Sequence, residues 1–179
     1  MALQGLKVAY LIGPGFEDLE FWVPYMRLQE EGADVTIVGL KSNEPYDGKG
    51  GLQARSEASI DEVDPDDFDG LVIPGGWAPD KLRRSEAIKS FVRSIYKSGK
   101  IVGMICHAGL VGISAGIVQG HEATGSEGIK DDLINAGAVW KDLPAFKSKN
   151  LVWGRVVADI PDFCRELIQA LSALKTART

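Results

Sequence analysis

With 179 residues, 45% of them hydrophobic and 25% charged, the chain has the size and composition of one soluble globular domain that can bury a sizeable core. A formal net charge of -5 argues against the basic surface that general nucleic-acid binding uses. No apolar run approaches the roughly 20 residues of a membrane span, and no signal-peptide pattern is visible, so the expectation is an intracellular, cytoplasmic protein without a membrane partner. Cys106 and Cys164 are too few for a disulfide framework and lack metal-ligand spacing with either histidine, so no metal site is expected.

In chain order, Leu6 to Ile12 is a short apolar strand, turned by Gly13-Pro14-Gly15. Phe16 to Glu31 reads as a helix with Gly32 at its C-cap, Pro24 near its first turn and an apolar face of Phe21, Tyr25 and Leu28. Its first acids have a structural reading, since carboxylates there complement the helix dipole and cap free N–H groups; Asp18 is assigned that role. Glu17 and Glu20, three apart, share a face, and one of them is in a position to reach a neighbouring strand end. Asp34 to Leu40 is a second strand, parallel to the first.

Ser42 to Ile60 is polar and glycine-rich, with the hairpin signal Asp47-Gly48, and reads as a small β excursion. Asp61 to Asp69 is a short helix or turn, and Gly70 to Pro74 a third parallel strand. Gly75-Gly76 follows directly, where backbone N–H groups can face an anion. Glu86 to Ser98 is a helix closed by Gly99.

Lys100 to Ile105 is a buried strand that ends abruptly at Cys106-His107, before a helix over about Ala108 to Ala115. A cysteine at the turn between strand and helix resembles the nucleophile elbow of α/β hydrolases, and a helix N-terminus beneath it favours thiolate. The alternative is a small buried hydrophobe. Gly116 and Gly120 close this region; Glu122 to Gly125 is a short strand, Glu127 to Asn135 a helix, and Ala138 to Trp140 and Leu151 to Arg155 are short strands. Pro161 to Leu174 is a final amphipathic helix that carries Cys164 into the core, and a polar tail follows. His121 reads as a solvated loop residue. The alternation predicts a single three-layer α/β domain over residues 1–179, a mostly parallel sheet with helices on both faces.

Five segments in order carry a family resemblance: "GFEDLEFWVPYMRLQEEGADV", "FDGLVIPGGWAPD", "GKIVGMICHAG" with "ISAG", "GIKDDLINAGA" and "DIPDFCRELIQAL". From Leu6 to Leu171 the chain resembles the PfpI-type intracellular proteases of the ThiJ/PfpI superfamily, related to class I glutamine amidotransferases. The resemblance implies a flavodoxin-like fold and a cofactor-free site. In it Cys106 is the nucleophile, His107 its partner, Glu20 the acid that contacts the sulfur, and Glu17 a second acid. Gly75 and Gly76, with His107, supply oxyanion-type groups, and Asp80 orients the histidine of a neighbouring subunit in a homo-oligomer, a dimer or hexamer. The rim departs from the family pattern: Ala108-Gly109 follows the histidine, Trp77 follows the paired glycines, Asp80 is a methylene shorter than the usual glutamate, Ser126 stands for a pocket tyrosine, and Trp153-Gly154-Arg155 replaces "SSR".

A thiolate and a carboxylate this close repel, so Cys106 and Glu20 are expected to share one proton. Three functions compete. The first is a stress-response glyoxalase or deglycase in which Cys106 adds to a small aldehyde. The second is an intracellular cysteine peptidase, which needs a Cys-His-acid triad. The third is a non-catalytic thiol that senses oxidation. For His107 a hydrogen bond within a subunit interface is the structural alternative.

Overall fold

The computed structural model describes residues 1–178. The chain opens with β1 (Lys7–Leu11), then α1 (Asp18–Glu30), capped by Glu17 and closed past Glu31 by Gly32 at φ 91. β2 (Asp34–Gly39) returns parallel to β1, with Val8 opposite Val35. The polar excursion folds as the hairpin β3 (Pro45–Asp47) and β4 (Gln53–Arg55), and β5 (Ala58–Ser59) adds to the edge of the main sheet beside β2. Two single 3-10 turns occupy the acidic segment before β6 (Gly70–Ile73). α2 (Ala78–Leu82) and α3 (Glu86–Lys97) lead to β7 (Ile101–Ile105), whose five residues are all buried. A 3-10 turn over Cys106–Ala108 then runs into α4 (Gly109–Ala115), which ends at Gly116 in the left-handed region. The small ladder β8 (Glu122–Ala123), α5 (Lys130–Asn135) and β9 (Val139–Trp140) precede β10 (Ala145–Ser148), β11 (Leu151–Gly154) and α6 (Ile160–Ala177).

The seven-stranded sheet has the order β10-β11-β7-β6-β1-β2-β5, and all pairs are parallel except β10 with β11. Strands covered on both faces read as continuous apolar runs, as β6 and β7 do. α1 packs with α6 over one face; α3 and α4, with α2, cover the other. The chain winds outward from β1 to β2 and β5, then crosses back to β6, so strand order reverses between β1 and β6. Ligands of open α/β sheets sit at the carboxyl ends of strands at such a reversal. The loops after β1, β6 and β7 meet there: an isolated antiparallel bridge joins Phe16 to Gly76, and Gly75 lies against Cys106. The fold is the expected flavodoxin-like α/β architecture.

Several details differ from the sequence reading. Pro24 lies in the interior of α1, seven residues in and buried, where its missing N–H leaves the Glu20 carbonyl without its helical donor. The Tyr10 hydroxyl, from β1, covers that gap: it lies 2.6 Å from the Phe21 carbonyl oxygen and 3.2 Å from that of Glu20. α2 was not foreseen, because its five residues are too few to show a period. β10 pairs only at an edge and carries no apolar run. α6 extends to Ala177, three residues beyond the predicted end. The helix after Cys106 begins at Gly109 rather than Ala108, behind the 3-10 turn.

His121 is not a solvated loop residue but 2% exposed. The pairing of β8 with β9 draws it inward, with its carbonyl accepting from Val139 N at 2.8 Å. Its ring pairs through Nε2 with the Tyr96 hydroxyl at 2.7 Å and through Nδ1 with Ser148 Oγ at 3.1 Å. Burial, with help from the charge of Lys149, pushes its pKa below the ordinary histidine value. A histidine held neutral in the fold contributes stability that is complete above its unfolded pKa and is lost as pH falls through the folded value. Denaturant unfolding of the wild type and of His121→Gln at pH 7 and pH 5 checks this. The wild type is expected to lose more stability on acidification than the variant; equal losses refute the assignment.

Candidate functional site

Cys106 sits at the tip of the β7 turn with φ 59, in the left-handed region where a residue with a side chain is strained. Its carbonyl accepts from Ser126 N at 3.3 Å, and Gly125 packs tightly against the same carbonyl. The strained turn therefore holds the sulfur, half-buried, above the carboxyl ends of the strands.

Glu20 is fully buried in the first turns of α1. Its Oε1 accepts from Gly75 N at 3.0 Å, while Oε2 is buried with no hydrogen-bond partner of good geometry. The carboxyl lies in interaction range of the Cys106 thiol. Residue 75 must be glycine here, because a Cβ would run into the Glu20 carboxyl and stand 3.0 Å from Cys106 Cβ. Burial, reinforced by the charge of Glu17, pushes Glu20 up to about 8. Burial and the neighbouring Glu20 push Cys106 up to about 12. A helix N-terminus that favours thiolate is thus outweighed by desolvation, and α4 is a short helix set back behind a 3-10 turn. The two groups titrate as a pair. While Glu20 is neutral its charge no longer opposes ionisation of the sulfur. The first proton lost leaves one charge between them, and the remaining proton bridges carboxyl and sulfur.

His107 turns its ring back toward the sulfur, with Nδ1 3.4 Å from Cys106 Sγ. Burial, then the charge of Lys49, lowers its pKa, so the ring is neutral near pH 7. The His107 N–H and the Ser126 hydroxyl also favour a charged sulfur. Ser126 is thus a contact of the sulfur itself, at a position the sequence marked only as a departure on the rim.

Three expected site residues take other places. The Gly75 N–H is engaged with Glu20 and is not available to an oxyanion. Glu17 is half-buried as the cap of α1, its Oε2 accepting from Glu20 N at 2.8 Å, and it reaches the site only through its charge. Asp80 pairs with Arg84 at 2.6 Å on the rim, and among the described residues no acid pairs with His107. The Gly76 N–H is free: Glu17 N donates to the Gly75 carbonyl and Trp77 N to that of Gly15. In that pairing the amides of Phe16 and Gly76 point away from each other.

Asp18 has a role the local sequence could not show. Its carboxylate is buried and accepts from Gly50 N and Leu52 N, each at 3.0 Å, instead of capping α1. This clamps the β3–β4 hairpin over the site and brings in Lys49, whose ammonium stands 5.2 Å from the centre of the Trp77 ring. A cleft of about 470 Å³ opens in front of His107, lined by Lys49, Gly76, Trp77, Asp80, Lys81 and Leu110. A second, of about 420 Å³, is lined by Gly125, Glu127, Lys130, Trp140, Asp142 and Arg155. Among the described residues no three His, Cys, Asp or Glu side chains cluster as metal ligands, and no helix is long and apolar enough to cross a membrane.

A family model described as the DJ-1/PfpI family matches residues 6–170. The chain is similar to a deglycase of Pyrococcus horikoshii, 40% identical over 93% of this chain and 99% of that protein. It is also similar to protein/nucleic acid deglycase 2 of Escherichia coli, 37% identical over 93% of this chain and 98% of that one. Among solved structures, a two-domain protein of Anabaena variabilis with DJ-1/ThiJ/PfpI-like and ferritin-like domains superposes with a TM-score of 0.91 at 36% identity, over 93% of this chain and 48% of that one. Drosophila melanogaster DJ-1beta shares the fold at a TM-score of 0.86 and 23% identity, over 96% of each chain.

The Asp18 clamp predicts a local effect. In Asp18→Ala, amide exchange at Gly50 and Leu52 is expected to rise at least about tenfold, with a stability loss of about 1–3 kcal/mol. Unchanged exchange at both amides contradicts the clamp.

Proposed function

The chain belongs to the DJ-1/PfpI family, and we propose that it is a cysteine-dependent deglycase and glyoxalase that acts on reactive carbonyls and needs no cofactor. The carrying observation is the buried Glu20 carboxyl set against the Cys106 thiol. That pair offers a nucleophile and a proton on adjacent atoms, the two things that addition to an aldehyde consumes. The curated relatives named deglycase support the same reading.

For a 2-oxoaldehyde the steps balance without an external oxidant. Sγ forms a bond to the aldehyde carbon as the carbonyl π pair moves to oxygen, which takes the proton of the pair. The resulting hemithioacetal loses its C1 proton to a site base and regains one at C2, while the C1 hydroxyl proton is given up and one is taken by the C2 oxygen, so that C1 is oxidised and C2 reduced within one molecule. Water then cleaves the thioester at C1, releasing a 2-hydroxy acid and returning a proton to the sulfur–carboxyl pair. Glu20, fixed at one oxygen by Gly75 N–H, and His107 Nδ1, beside the sulfur, are the proposed proton carriers. The free N–H of Gly76 is the proposed donor to the developing oxyanion. A glycated amine is the hemiaminal of the same aldehyde: its hydroxyl proton passes to nitrogen, the C–N bond breaks to release the amine and restore the carbonyl, and Sγ then adds as above.

Peptide hydrolysis has less support, because His107 has no acid behind it within the chain and Asp80 is tied to Arg84. In a homo-oligomer, Asp80 of a neighbouring copy would be the acid that completes that arrangement.

Conversion of methylglyoxal to lactate by the purified protein tests the proposal. Cys106→Ala is expected to abolish turnover, and retained turnover refutes the nucleophile. Glu20→Gln is expected to lower kcat by about 100-fold or more. Wild-type kcat/KM is expected to rise with pH toward about 8, where the pair loses its first proton. Below that value both protons are held and the thiolate fraction falls about tenfold per pH unit. An oxidisable Cys106 with no turnover of any aldehyde would favour the sensor reading instead.

A further inference from the structure

The cleft in front of His107 is locally cationic in a chain whose net charge is -5. Lys49 and Lys81 both line it, and its one acid, Asp80, is paired with Arg84 at 2.6 Å. Among the described residues, neither lysine has a carboxylate within ion-pair distance. Lys49 is exposed, yet it is not a loose surface residue. Its backbone N–H donates to the Phe16 carbonyl at 2.9 Å, and the hairpin around it is clamped by Asp18 through Gly50 and Leu52. Its ammonium stands 5.2 Å from the Trp77 ring centre, and its charge is felt at both Glu20 and His107. A backbone so fixed limits the entropy lost when the ammonium takes a partner, and the aromatic face favours the cation without using its hydrogen-bond donors.

We propose that Lys49, with Lys81 of the same cleft, forms a carboxylate subsite beside Cys106 that binds the short 2-hydroxy acid released by the reaction. The identity of the acid rests on the carbonyl reading above. There a neutral dicarbonyl enters and a monocarboxylate leaves, so the negative charge appears only after the last step. A cationic subsite discriminates product from substrate by that charge alone, and the product is a competitive inhibitor. Gly76 lines the same cleft.

The test is titration of glycolate and lactate into the full chain, followed by protein NMR and by tryptophan fluorescence. Saturable binding is expected, weakened about tenfold in Lys49→Met and nearly restored in Lys49→Arg. It is expected to weaken with added salt, and lactamide, the uncharged isostere of lactate, is expected not to compete. Trp77→Phe keeps the NMR titration and loses the fluorescence change, since the Lys49–Trp77 contact is the reporter. Cys106→Ala keeps its affinity, so the subsite is read even where the chemistry is absent. Saturable, Lys49-dependent binding in a protein that turns over no methylglyoxal sinks the functional reading and leaves the subsite standing. Failure of the wild type to saturate, equal binding of lactamide, or wild-type affinity in Lys49→Met overturns the subsite.

Discussion

Glu20 has no contact with solvent, and a carboxyl in that position ionises only against the full cost of leaving water. The Gly75 backbone N–H, the Cys106 thiol and the charge of Lys49 offset only part of that cost. The carboxyl therefore keeps its proton into the neutral range, and the group best placed to use the proton is the sulfur beside it. Both residues depart from their ordinary acidities first because burial denies their charged forms water; the charge of Glu17 adds to the effect at Glu20, and that of Glu20 adds to it at Cys106. The chemistry of the site follows from a shared shortage of solvation rather than from either residue alone.

The supports of that pair come from four parts of the chain. The strained turn at Cys106 raises the sulfur off the end of β7. Glycine at 75 lets the backbone come close enough to donate to Glu20. Glu17 fixes the start of α1 by capping it. Pro24 interrupts the hydrogen bonding of that same helix at the Glu20 carbonyl, and Tyr10 reaches across from β1 to cover the exposed carbonyls. The position of one carboxyl is thus set by a cap, a proline, a tyrosine from the next layer and a glycine 55 residues away. Strain and unusual pairing concentrate here, as is common where a fold holds reactive groups in place.

Much of this was legible in the sequence because its signals are local. The continuous apolar run before Cys106 reads as a central strand, and Gly99 marks where α3 ends. Cys106, His107 and Glu20, grouped in the sequence reading, lie together in the structure. What escaped were the other contacts made across the fold. Asp18 looked like a helix cap, and its true partners, Gly50 and Leu52, lie more than 30 residues on. His121 looked solvated because its partners, Tyr96 and Ser148, sit 25 and 27 residues away. Gly75 looked like an anion donor, and only the packing of α1 against the β6 loop shows that its amide is already engaged. Lys49 carried no signal at all, since a lysine in a glycine-rich turn resembles any surface lysine until the hairpin is folded over Trp77.

The way the hairpin is fastened bears on how this site can change over evolutionary time. Asp18 holds it by backbone amides, which every residue but proline possesses, so the attachment does not read the side chains of the loop. Gly48 and Gly50 are constrained, because a Cβ at either would collide with the Asp18 carboxylate, and Gly51 is constrained by its φ of 100. Position 49, which faces the reactive centre, and position 52 are free to vary while the anchor stays in place. The Cys106–Glu20 pair is thus locked into the sheet, while position 49, on the cleft in front of His107, sits on a tip that can be exchanged without loosening its anchor.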